Sequence, residues 1–391
     1  MKYALRMSRM QTETANAFEI YDRAQALEKQ GREIIHLEIG EPDFPTPKHI
    51  CEAAIEAINQ GYTHYSSGSG MMEAREAIAD FVCRDKGIQV TPEQLIITPG
   101  GKPAVFFTIC ICADAGDEVI IPDPGFPPYE AMVLFAGAKP VHLPLHEHRD
   151  FSFDVEQLRQ LVTPRTKLIL LNSPHNPTGA MLTHKDLEFI AELAREKDFF
   201  VLSDEVYAKI VYEESFTSIA TLPGMAERTI IVDSFSKAYA MTGWRLGYAV
   251  APRQAADHIG TLMVNSNSCT ATFTQIAGIE AVKGPKDFQI QMVAELRKRR
   301  DLLVEGINKI PGISCCVPKG AFYVFANISE LGMDSVLFSN RLLDEAGVAT
   351  MPGVSFGKYG EGFVRLSYAA SMDKIHKALE RIEKFANKIP R

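Results

Sequence analysis

The chain has 391 residues, of which 46% are hydrophobic, and this length and apolar content suffice for two domains with large cores. Its formal net charge is -8 with acidic and basic residues interspersed, which argues against nucleic acid or an anionic membrane surface as a partner. The longest uncharged apolar run, residues 103–113, is too short to cross a membrane, and the N-terminal residues lack a signal-peptide core, so we expect a cytoplasmic protein.

Short apolar runs alternate with longer helical patterns from about residue 94 to residue 282. This alternation predicts an α/β fold in which helices cover both faces of a mostly parallel seven-stranded sheet. The predicted strands are residues 95–98, 118–122, 139–143, 167–171, 199–202, 229–232 and 246–250.

The pattern changes after residue 284 to a long charged helix, a strand at 322–325, a helix near 334–346, a strand at 363–368 and a final helix. This order is typical of a smaller α+β domain. We therefore predict an N-terminal arm with a small-domain segment over residues 1–48, a large domain over 49–284 and a small domain over 285–391. The boundary near residue 284 is expected to lie inside a helix.

The seven cysteines form no C-x-x-C arrangement, so the sequence predicts packed thiols rather than a zinc site or a disulfide framework. The histidines His142, His146 and His148 surround a predicted strand end. Histidines on one face of a strand could share a metal ion, but a turn proline interrupts their spacing. A solvated strand end is therefore favoured, and no metal site is predicted.

A lysine with small hydroxyl-bearing neighbours is the strongest functional signal. The segment Ser234-Phe-Ser236-Lys237 follows the predicted strand at 229–232 and precedes another apolar run. Lys237 is therefore expected in a connection at the end of a buried strand, where open α/β sheets place their active sites. A Schiff-base lysine would lie there, although a lone lysine is more often a solvated surface charge.

A carboxylate and a phenol follow the predicted strand at 199–202. Asp204 at this strand end could hold the ring nitrogen of pyridoxal phosphate in its protonated form, which makes the ring an electron sink. Tyr207 could then donate a hydrogen bond to the phenolic oxygen of that ring. Alternatively, Asp204 caps the next helix and Tyr207 packs in a half-buried position.

Two further turns are candidates for ligand contacts. Asn176 precedes Pro177 after the predicted strand at 167–171, so its amide could point into a site or form an Asx turn. The Gly100-Gly101-Lys102 segment lies between a strand and a helix-like run, where backbone amides bind phosphate well. Its spacing matches neither the dinucleotide fingerprint nor the Walker loop, and a plain strand-to-helix turn is the alternative.

Together these segments resemble the fold-type I pyridoxal-phosphate-dependent aminotransferases of class I/II, a group that includes prokaryotic aspartate aminotransferases. The resemblance extends from about residue 34 to the C-terminal helix. It implies that Lys237 forms the Schiff base with the cofactor and that Asp204 pairs with the pyridine nitrogen. Asn176 and Tyr207 then contact the O3′ atom of the ring.

The resemblance also implies contacts with the rest of the cofactor. The positions that match the phosphate site are Gly101, Lys102, Ser234, Ser236 and Arg245. Phe126 falls where the family places an aromatic ring that stacks on the cofactor. Many relatives have Trp or Tyr there, and phenylalanine keeps the stacking surface without a polar group.

Three matches concern the substrate and the assembly. Arg365 corresponds to the arginine that clamps the substrate α-carboxylate, a task suited to the two parallel bonds of a guanidinium fork. Gly40 lies in the segment that closes over the substrate. Tyr65 matches a tyrosine that reaches the cofactor phosphate of the neighbouring subunit, which implies a homodimer with shared active sites.

The resemblance predicts an aminotransferase that moves an amino group between an L-amino acid and a 2-oxo acid by a ping-pong mechanism. Aspartate or glutamate is the expected donor, because Lys102 could bind a second carboxylate, although it could instead balance the phosphate. Alanine, aromatic amino acids, or a lyase or synthase reaction on the same fold are the alternatives. A nicotinamide dehydrogenase is disfavoured because no G-x-G-x-x-G follows a strand.

Overall fold

The computed structural model describes residues 3–10 and 19–389. The helices are α1 (Leu5–Arg9), α2 (Glu19–Lys29), α3 (Lys48–Asn59), α4 (Met72–Lys86), α5 (Gly101–Cys112), α6 (Pro128–Ala136), α7 (Val155–Leu161), α8 (His184–Lys197), α9 (Phe235–Ala238), α10 (Arg253–Asn267), α11 (Thr272–Lys283), α12 (Asp287–Ile307), α13 (Ser335–Arg341) and α14 (Met372–Ala386). The strands are β1 (Ile35–His36), β2 (Leu95–Thr98), β3 (Glu118–Asp123), β4 (Lys139–His146), β5 (Ser152–Phe153), β6 (Thr166–Asn172), β7 (Phe200–Asp204), β8 (Thr229–Ser234), β9 (Gly247–Val250), β10 (Ser314–Cys315), β11 (Tyr323–Asn327), β12 (Val348–Ala349), β13 (Met351–Pro352) and β14 (Phe363–Ser367).

In the described part of the chain, eight strands form the large sheet in the order β2-β9-β8-β7-β6-β3-β4-β5. Strands β8, β7, β6, β3 and β4 are parallel, whereas β9 is antiparallel to both neighbours and β5 is antiparallel to β4. Each of the seven predicted strands is present. Strand β5 was not predicted, because two residues are too few to show a periodic pattern.

Helices cover the large sheet on both faces. One face packs against α5, α6 and α10. The other packs against α3, α4 and α11 towards one edge and against α7 and α8 towards the other. This double burial explains why the strands are continuous apolar runs rather than alternating ones.

The small sheet has the order β10-β11-β14-β13 and is antiparallel throughout. Its central strands β11 and β14 share an apolar core with α12, α13 and α14, as the sequence pattern predicted. One detail of the prediction is wrong: α11 ends at Lys283 and α12 begins at Asp287, so residue 284 lies between two helices. The interruption coincides with a Gly-Pro pair, which disfavours a continuous helix.

The three-part division of the chain stays a prediction. Residues 11–18 of the predicted N-terminal arm lie outside the described residues, as do residues 1–2 and 390–391. Strand β1 pairs in parallel with β12, so residues 35–36 contact the part of the chain assigned to the small domain. None of the helices described is both long and apolar enough to cross a lipid bilayer.

Candidate active site

Three neighbouring parallel strands, β6, β7 and β8, end at Asn172, Asp204 and Ser234. The strand register places Asn172 directly opposite Asp204. The carboxyl ends of parallel strands meet at one edge of a sheet, which is where open α/β sheets bind ligands. The turns that follow carry Asn176 and Lys237, two of the predicted site residues, to this edge.

Lys237 lies on the one-turn helix α9, which follows β8 and is capped by the Ser234 side chain. Its amine donates a hydrogen bond to the carbonyl oxygen of Gly40 and lies 5.7 Å from the ring centre of Phe322. Burial lowers the pKa of Lys237 to about 8, and the positive charge of Arg365 acts in the same direction. A lowered pKa raises the fraction of neutral, nucleophilic amine near neutral pH.

Asp204 is a buried carboxylate with two hydrogen-bond donors. The Tyr129 hydroxyl donates to Oδ2 at 2.6 Å, and the backbone N–H of Val206 donates to Oδ1 at 3.3 Å. Burial nevertheless raises the pKa of Asp204 to about 6. Tyr129 was not recognised from the sequence as a site residue, although it lies three positions after the predicted ring Phe126.

The Asn176 side chain joins the strand ends to the predicted substrate arginine. The Asn172 side chain accepts a hydrogen bond from the Asn176 backbone N–H at 2.9 Å and donates to the carbonyl oxygen of Asp204 at 3.1 Å. Asn176 Oδ1 in turn accepts a hydrogen bond from Arg365 Nη1 at 2.9 Å. The Asn172 side-chain amide therefore holds the backbone of Asn176 next to the end of β7, and the Asn176 side chain contacts Arg365.

Arg365 is buried, with 7% of its surface exposed, and is not the solvent-facing charge that a strand arginine usually is. Its Nη2 atom donates to the carbonyl oxygen of Glu38, and its guanidinium lies 4.5 Å from the Tyr323 ring centre and 4.8 Å from that of Phe356. Among the described residues it forms no ion pair. Because buried cations are normally paired, this arrangement is suited to binding an anion.

Tyr207 and Tyr323 form a hydroxyl pair between the two sheets, with an O–O distance of 2.7 Å. A Cβ atom at Gly40 would lie 2.2 Å from the Tyr323 hydroxyl oxygen, so this close approach requires glycine. Tyr323 was not found from the sequence. Finding it would have required the pairing of β11 with β14, whose register sets Phe325 opposite Arg365 and Tyr323 on the same face.

The predicted phosphate-binding residues converge at the start of α5. No side chain caps this helix, so its first backbone N–H groups are available to a ligand. A Cβ atom at Gly101 would lie 3.6 Å from the Ser234 side chain, and one at Gly100 would collide with the Arg245 guanidinium. The hydroxyls of Ser234 and Ser236 lie 2.8 Å apart.

Lys102 and Phe126 lie beside this helix end. The Lys102 amine is 5.4 Å from the ring centre of Phe126, whose edge contacts Tyr129. Burial lowers the pKa of Lys102, and the charge of Arg245 adds to this effect. Lys102 is exposed at the surface, and within the described residues its amine has no hydrogen bond or ion pair, so this cation is available to an anion.

Tyr65 is a predicted site residue that lies at the surface of this chain. Its side chain is 87% exposed and makes no hydrogen bond or ring contact within the part of the chain described. The predicted contact of Tyr65 with the cofactor of a neighbouring subunit stays a prediction.

The histidines His142, His146 and His148 were expected at a solvated strand end, and His142 differs from this expectation. His142 Nδ1 lies 3.0 Å from Asp123 Oδ2, and its Nε2 lies 3.6 Å from Glu130 Oε1. Hydrogen bonding to Asp123 and Glu130 raises the pKa of His142 to about 9. The prediction of a solvated strand end is therefore wrong for His142. Across residues 3–10 and 19–389, no group of three or more metal-binding side chains could hold a metal ion.

Comparison with known proteins identifies the class to which this site belongs. The family model for aminotransferase class I and II matches residues 32–382. The chain is 42% identical over 369 residues to aromatic-amino-acid aminotransferase 2 of Thermococcus litoralis, covering 93% of this chain and 94% of that protein. It is 42% identical over 370 residues to the aspartate aminotransferase of Pyrococcus horikoshii, with 94% and 93% coverage. The structure of Thermus thermophilus aspartate aminotransferase with maleate matches with a TM-score of 0.94 and 39% identity, covering 98% of this chain and 99% of that one.

The chain therefore belongs to the class I and II aminotransferases. It is a pyridoxal-phosphate-dependent aminotransferase of fold type I, and its substrates are amino acids and 2-oxo acids. The family, the fold class, the reaction and the cofactor predicted from the sequence are confirmed.

The residues at the strand ends fit pyridoxal phosphate. The free amides of α5, the hydroxyls of Ser234 and Ser236 and the Arg245 guanidinium are donors suited to its phosphate. The Asp204 carboxylate has no cationic partner among the residues described, which suits a group that pairs with a protonated ring nitrogen. The lowered pKa of Lys237 suits a Schiff-base amine.

Proposed function

We propose that this aminotransferase takes aspartate or glutamate as its amino donor. The observation that supports this choice is the Lys102 amine, an exposed cation beside Phe126 that has no anionic partner among the described residues. A dicarboxylic amino acid needs two cations, and Arg365 and Lys102 supply one each. The similar Thermus thermophilus aspartate aminotransferase was solved with maleate, a dicarboxylate.

Arg365 is assigned to the substrate α-carboxylate. Its guanidinium is held by Asn176 Oδ1 and by the carbonyl oxygen of Glu38, between the rings of Tyr323 and Phe356. These contacts fix the plane of the guanidinium, while its Nε atom has no hydrogen-bond partner among the described residues. A fixed guanidinium orients the substrate Cα towards Lys237, and orientation of this kind lowers the barrier substantially.

Bound pyridoxal phosphate supplies an electron sink that weakens the bond between the substrate α-carbon and its hydrogen. With the cofactor bound, the Lys237 Nζ atom would accept that proton as general base and deliver it, as general acid, to the cofactor carbon that is bonded to the substrate nitrogen. Asp204, whose carboxylate is oriented by the Tyr129 hydroxyl, would hold the ring nitrogen protonated. Tyr207 and Asn176 would hold the ring oxygen O3′, and Phe126 would supply a stacking surface for the ring.

The remaining assignments complete the cofactor site. We assign the phosphate to Gly101, Ser234, Ser236 and Arg245, with Tyr65 contributed by a second copy of the chain. Gly40 closes over the substrate next to Arg365. Lys102 is assigned to the distal carboxylate of the donor, and a comparison of donors separates this role from a contact with the phosphate.

The active enzyme is proposed to be a homodimer. Tyr65 is exposed, and the exposed apolar side chains of Ile55, Ile58 and Tyr62 lie on α3 and in the turn that follows this helix. Apolar side chains grouped on a surface are typical of a protein interface. A cytoplasmic location is also proposed, because the seven cysteines are free thiols, as is usual in a reducing compartment.

The test is Lys102→Met, which removes the charge and keeps the length of the side chain. Each half-reaction is followed separately by the absorbance of the holoenzyme, with aspartate, glutamate, alanine or phenylalanine as the only substrate. We expect KM for the two dicarboxylic donors to rise about 10- to 100-fold, as for the loss of one charge-assisted hydrogen bond, and KM for alanine and phenylalanine to change little.

The matched control is Lys48→Met, which alters an exposed lysine on α3 that pairs with Glu52. It should leave all four donors unchanged. An equal loss for every donor in Lys102→Met, accompanied by weaker retention of the cofactor, would assign Lys102 to the phosphate instead. A wild-type preference for alanine or phenylalanine over both dicarboxylic donors would contradict the proposed donor class.

A further inference from the structure

Asp123, the last residue of β3, lies against a segment that precedes the substrate arginine in the chain. Its side chain is 1% exposed, and Oδ1 accepts a hydrogen bond from the backbone N–H of Tyr359 at 3.0 Å. Two residues later, the Gly125 N–H donates to the carbonyl oxygen of Phe356 at 2.7 Å. The turn after β3 is therefore joined to residues 353–360, here called the clamp segment, at two points.

The backbone of the clamp segment packs directly against the Asp123 carboxylate. Gly357 has φ +123°, and a Cβ atom there would lie 2.2 Å from Asp123 Oδ1. Glycine is therefore required both by the backbone conformation and by the lack of space. The second carboxylate oxygen lies 3.0 Å from His142 Nδ1, and Glu130 lies on the far side of that ring. The carboxylate is thus held between the clamp segment and a histidine.

The clamp segment carries Phe356, which is buried and lies 4.8 Å from the Arg365 guanidinium. Phe356 also packs against Phe325, the residue opposite Arg365 in the small sheet. A shift of the clamp segment would therefore move one wall of the Arg365 pocket. No hydrogen bond or ion pair joins Asp123 to Arg365 among the described residues, so an effect on the arginine passes through the clamp segment, either by Phe356 or by the adjoining strand β13, whose Met351 lies opposite Arg365.

We propose that Asp123 is a positioning residue for substrate binding: its carboxylate fixes the clamp segment, and the clamp segment holds Phe356 against Arg365. His142 is the charged partner that orients the second carboxylate oxygen. The proposal rests on the assignment of Arg365 to the substrate α-carboxylate in the proposed function. It adds a contact between the large sheet and the clamp segment on which the affinity for every amino donor depends.

The experiment compares Asp123→Ala with Asp123→Asn in the holoenzyme. Asparagine keeps the volume and the Oδ1 acceptor for the Tyr359 N–H, whereas alanine removes both. We expect Asp123→Ala to raise KM for the amino donor about tenfold with kcat changed less, the effect of one lost hydrogen bond to the clamp segment. Asp123→Asn should restore most of the wild-type KM.

A merely structural role would instead lower kcat, cofactor retention and stability together and would leave KM unchanged. That result, or equal KM values for Asp123→Ala and the wild type, would overturn the proposal. If Asp123→Ala does not fold, His142→Asn provides the second test, because it should raise KM several-fold in the wild type and have no further effect in Asp123→Asn. Additive effects would contradict the link between the two residues.

Two controls separate this proposal from the assignment of Arg365. Asp257→Asn alters an exposed carboxylate on α10 and should leave KM unchanged. Arg365→Lys should raise KM for every donor if Arg365 binds the α-carboxylate. An unchanged KM in Arg365→Lys would refute that assignment. A raised KM in Arg365→Lys with no change in Asp123→Ala would refute the role of Asp123 alone.

Discussion

At the scale of single residues, the site contains buried charged groups without a partner of opposite charge among the residues that the structure describes. Asp204 is buried there without a cation, and Arg365 is buried without a carboxylate. Isolated buried charges destabilise a folded protein, so their presence indicates ligands of opposite charge. The protonated ring nitrogen of the cofactor and the substrate carboxylate are the ligands that these two residues are suited to bind.

Asp204→Asn should therefore stabilise the cofactor-free protein while it abolishes most of the activity. The pKa of Asp204 is raised to about 6 in the folded state, so the ionised carboxylate destabilises the fold fully above pH 6 and not below its ordinary pKa near 3.8. Asparagine removes this penalty, by on the order of 3 kcal/mol at pH 7.5. Urea unfolding of the cofactor-free wild type and of Asp204→Asn at pH 7.5 and pH 5 measures this difference in the free energy of unfolding.

The gain should be smaller at pH 5, where part of the Asp204 population is already protonated. Equal gains at the two pH values would show that burial of charge is not the cause. In the holoenzyme the sign should reverse, because asparagine cannot pair with the ring nitrogen, and kcat should fall by orders of magnitude. Asp198→Asn, at an exposed carboxylate near β7, is the matched control.

At the scale of elements, the segment between β1 and α3 covers the site. It places two carbonyl oxygens against functional cations, since Glu38 accepts a hydrogen bond from Arg365 and Gly40 accepts one from Lys237. Arg299 on α12 anchors the segment through an ion pair with Asp43 at 2.6 Å. The position of this short segment therefore depends on its contacts with Arg365 and Lys237 in the site and with Arg299 on α12.

Gly40→Ala should disrupt this arrangement. The added Cβ would lie 2.2 Å from the Tyr323 hydroxyl oxygen, so either the segment or the Tyr323 ring must move. Overpacking of this kind costs about 1–3 kcal/mol, and we expect kcat/KM to fall about 10- to 100-fold. Tyr323→Phe removes the hydroxyl and should recover part of the loss in the double variant.

The comparison variant is Gly243→Ala, because a Cβ atom at Gly243 would meet no atom within 4 Å. It should retain the activity of the wild type in the same steady-state assay. If the double variant of Gly40 and Tyr323 is no better than Gly40→Ala alone, the collision with the hydroxyl is not the reason for the loss.

The elements were largely predictable from the sequence, and the contacts between them were not. Parallel strands that are buried on both faces are unbroken apolar runs, so all seven were found. The predicted residues Lys237, Asp204 and Asn176 follow strand ends, which topology alone brings together. Tyr129, Tyr323 and Phe356 reach the site through helix direction and strand register, and a single sequence does not specify either one.

His142 shows the same limit. The sequence places it on a strand beside a turn, and this position favours solvent. The carboxylates that surround it come from β3 and α6, two elements whose packing against β4 the sequence pattern does not define. The raised pKa of His142 is therefore a consequence of tertiary structure rather than of local sequence.

At the scale of the whole molecule, the proposed site is complete only in a dimer. Tyr65 is 87% exposed and has no hydrogen bond or ring contact within the described residues of its own chain, so it is free for the proposed contact with the cofactor phosphate of a second subunit. Closed homodimers with shared sites link catalysis to assembly. A hybrid dimer can separate a residue that acts across the boundary from one that acts within its own chain.

The hybrid combines a chain carrying Tyr65→Ala with a differently tagged chain carrying Lys237→Ala, and tandem affinity purification isolates the mixed dimer. Each parent homodimer should be impaired, the first by weaker cofactor retention and the second by loss of the amine that moves the proton. If Tyr65 acts across the boundary, one site of the mixed dimer is fully native, and the hybrid should show about half of the wild-type kcat per dimer. If Tyr65 acts within its own chain, neither site is native and the hybrid gains nothing over its parents. A fully active Tyr65→Ala homodimer or an active wild-type monomer would likewise contradict the shared site.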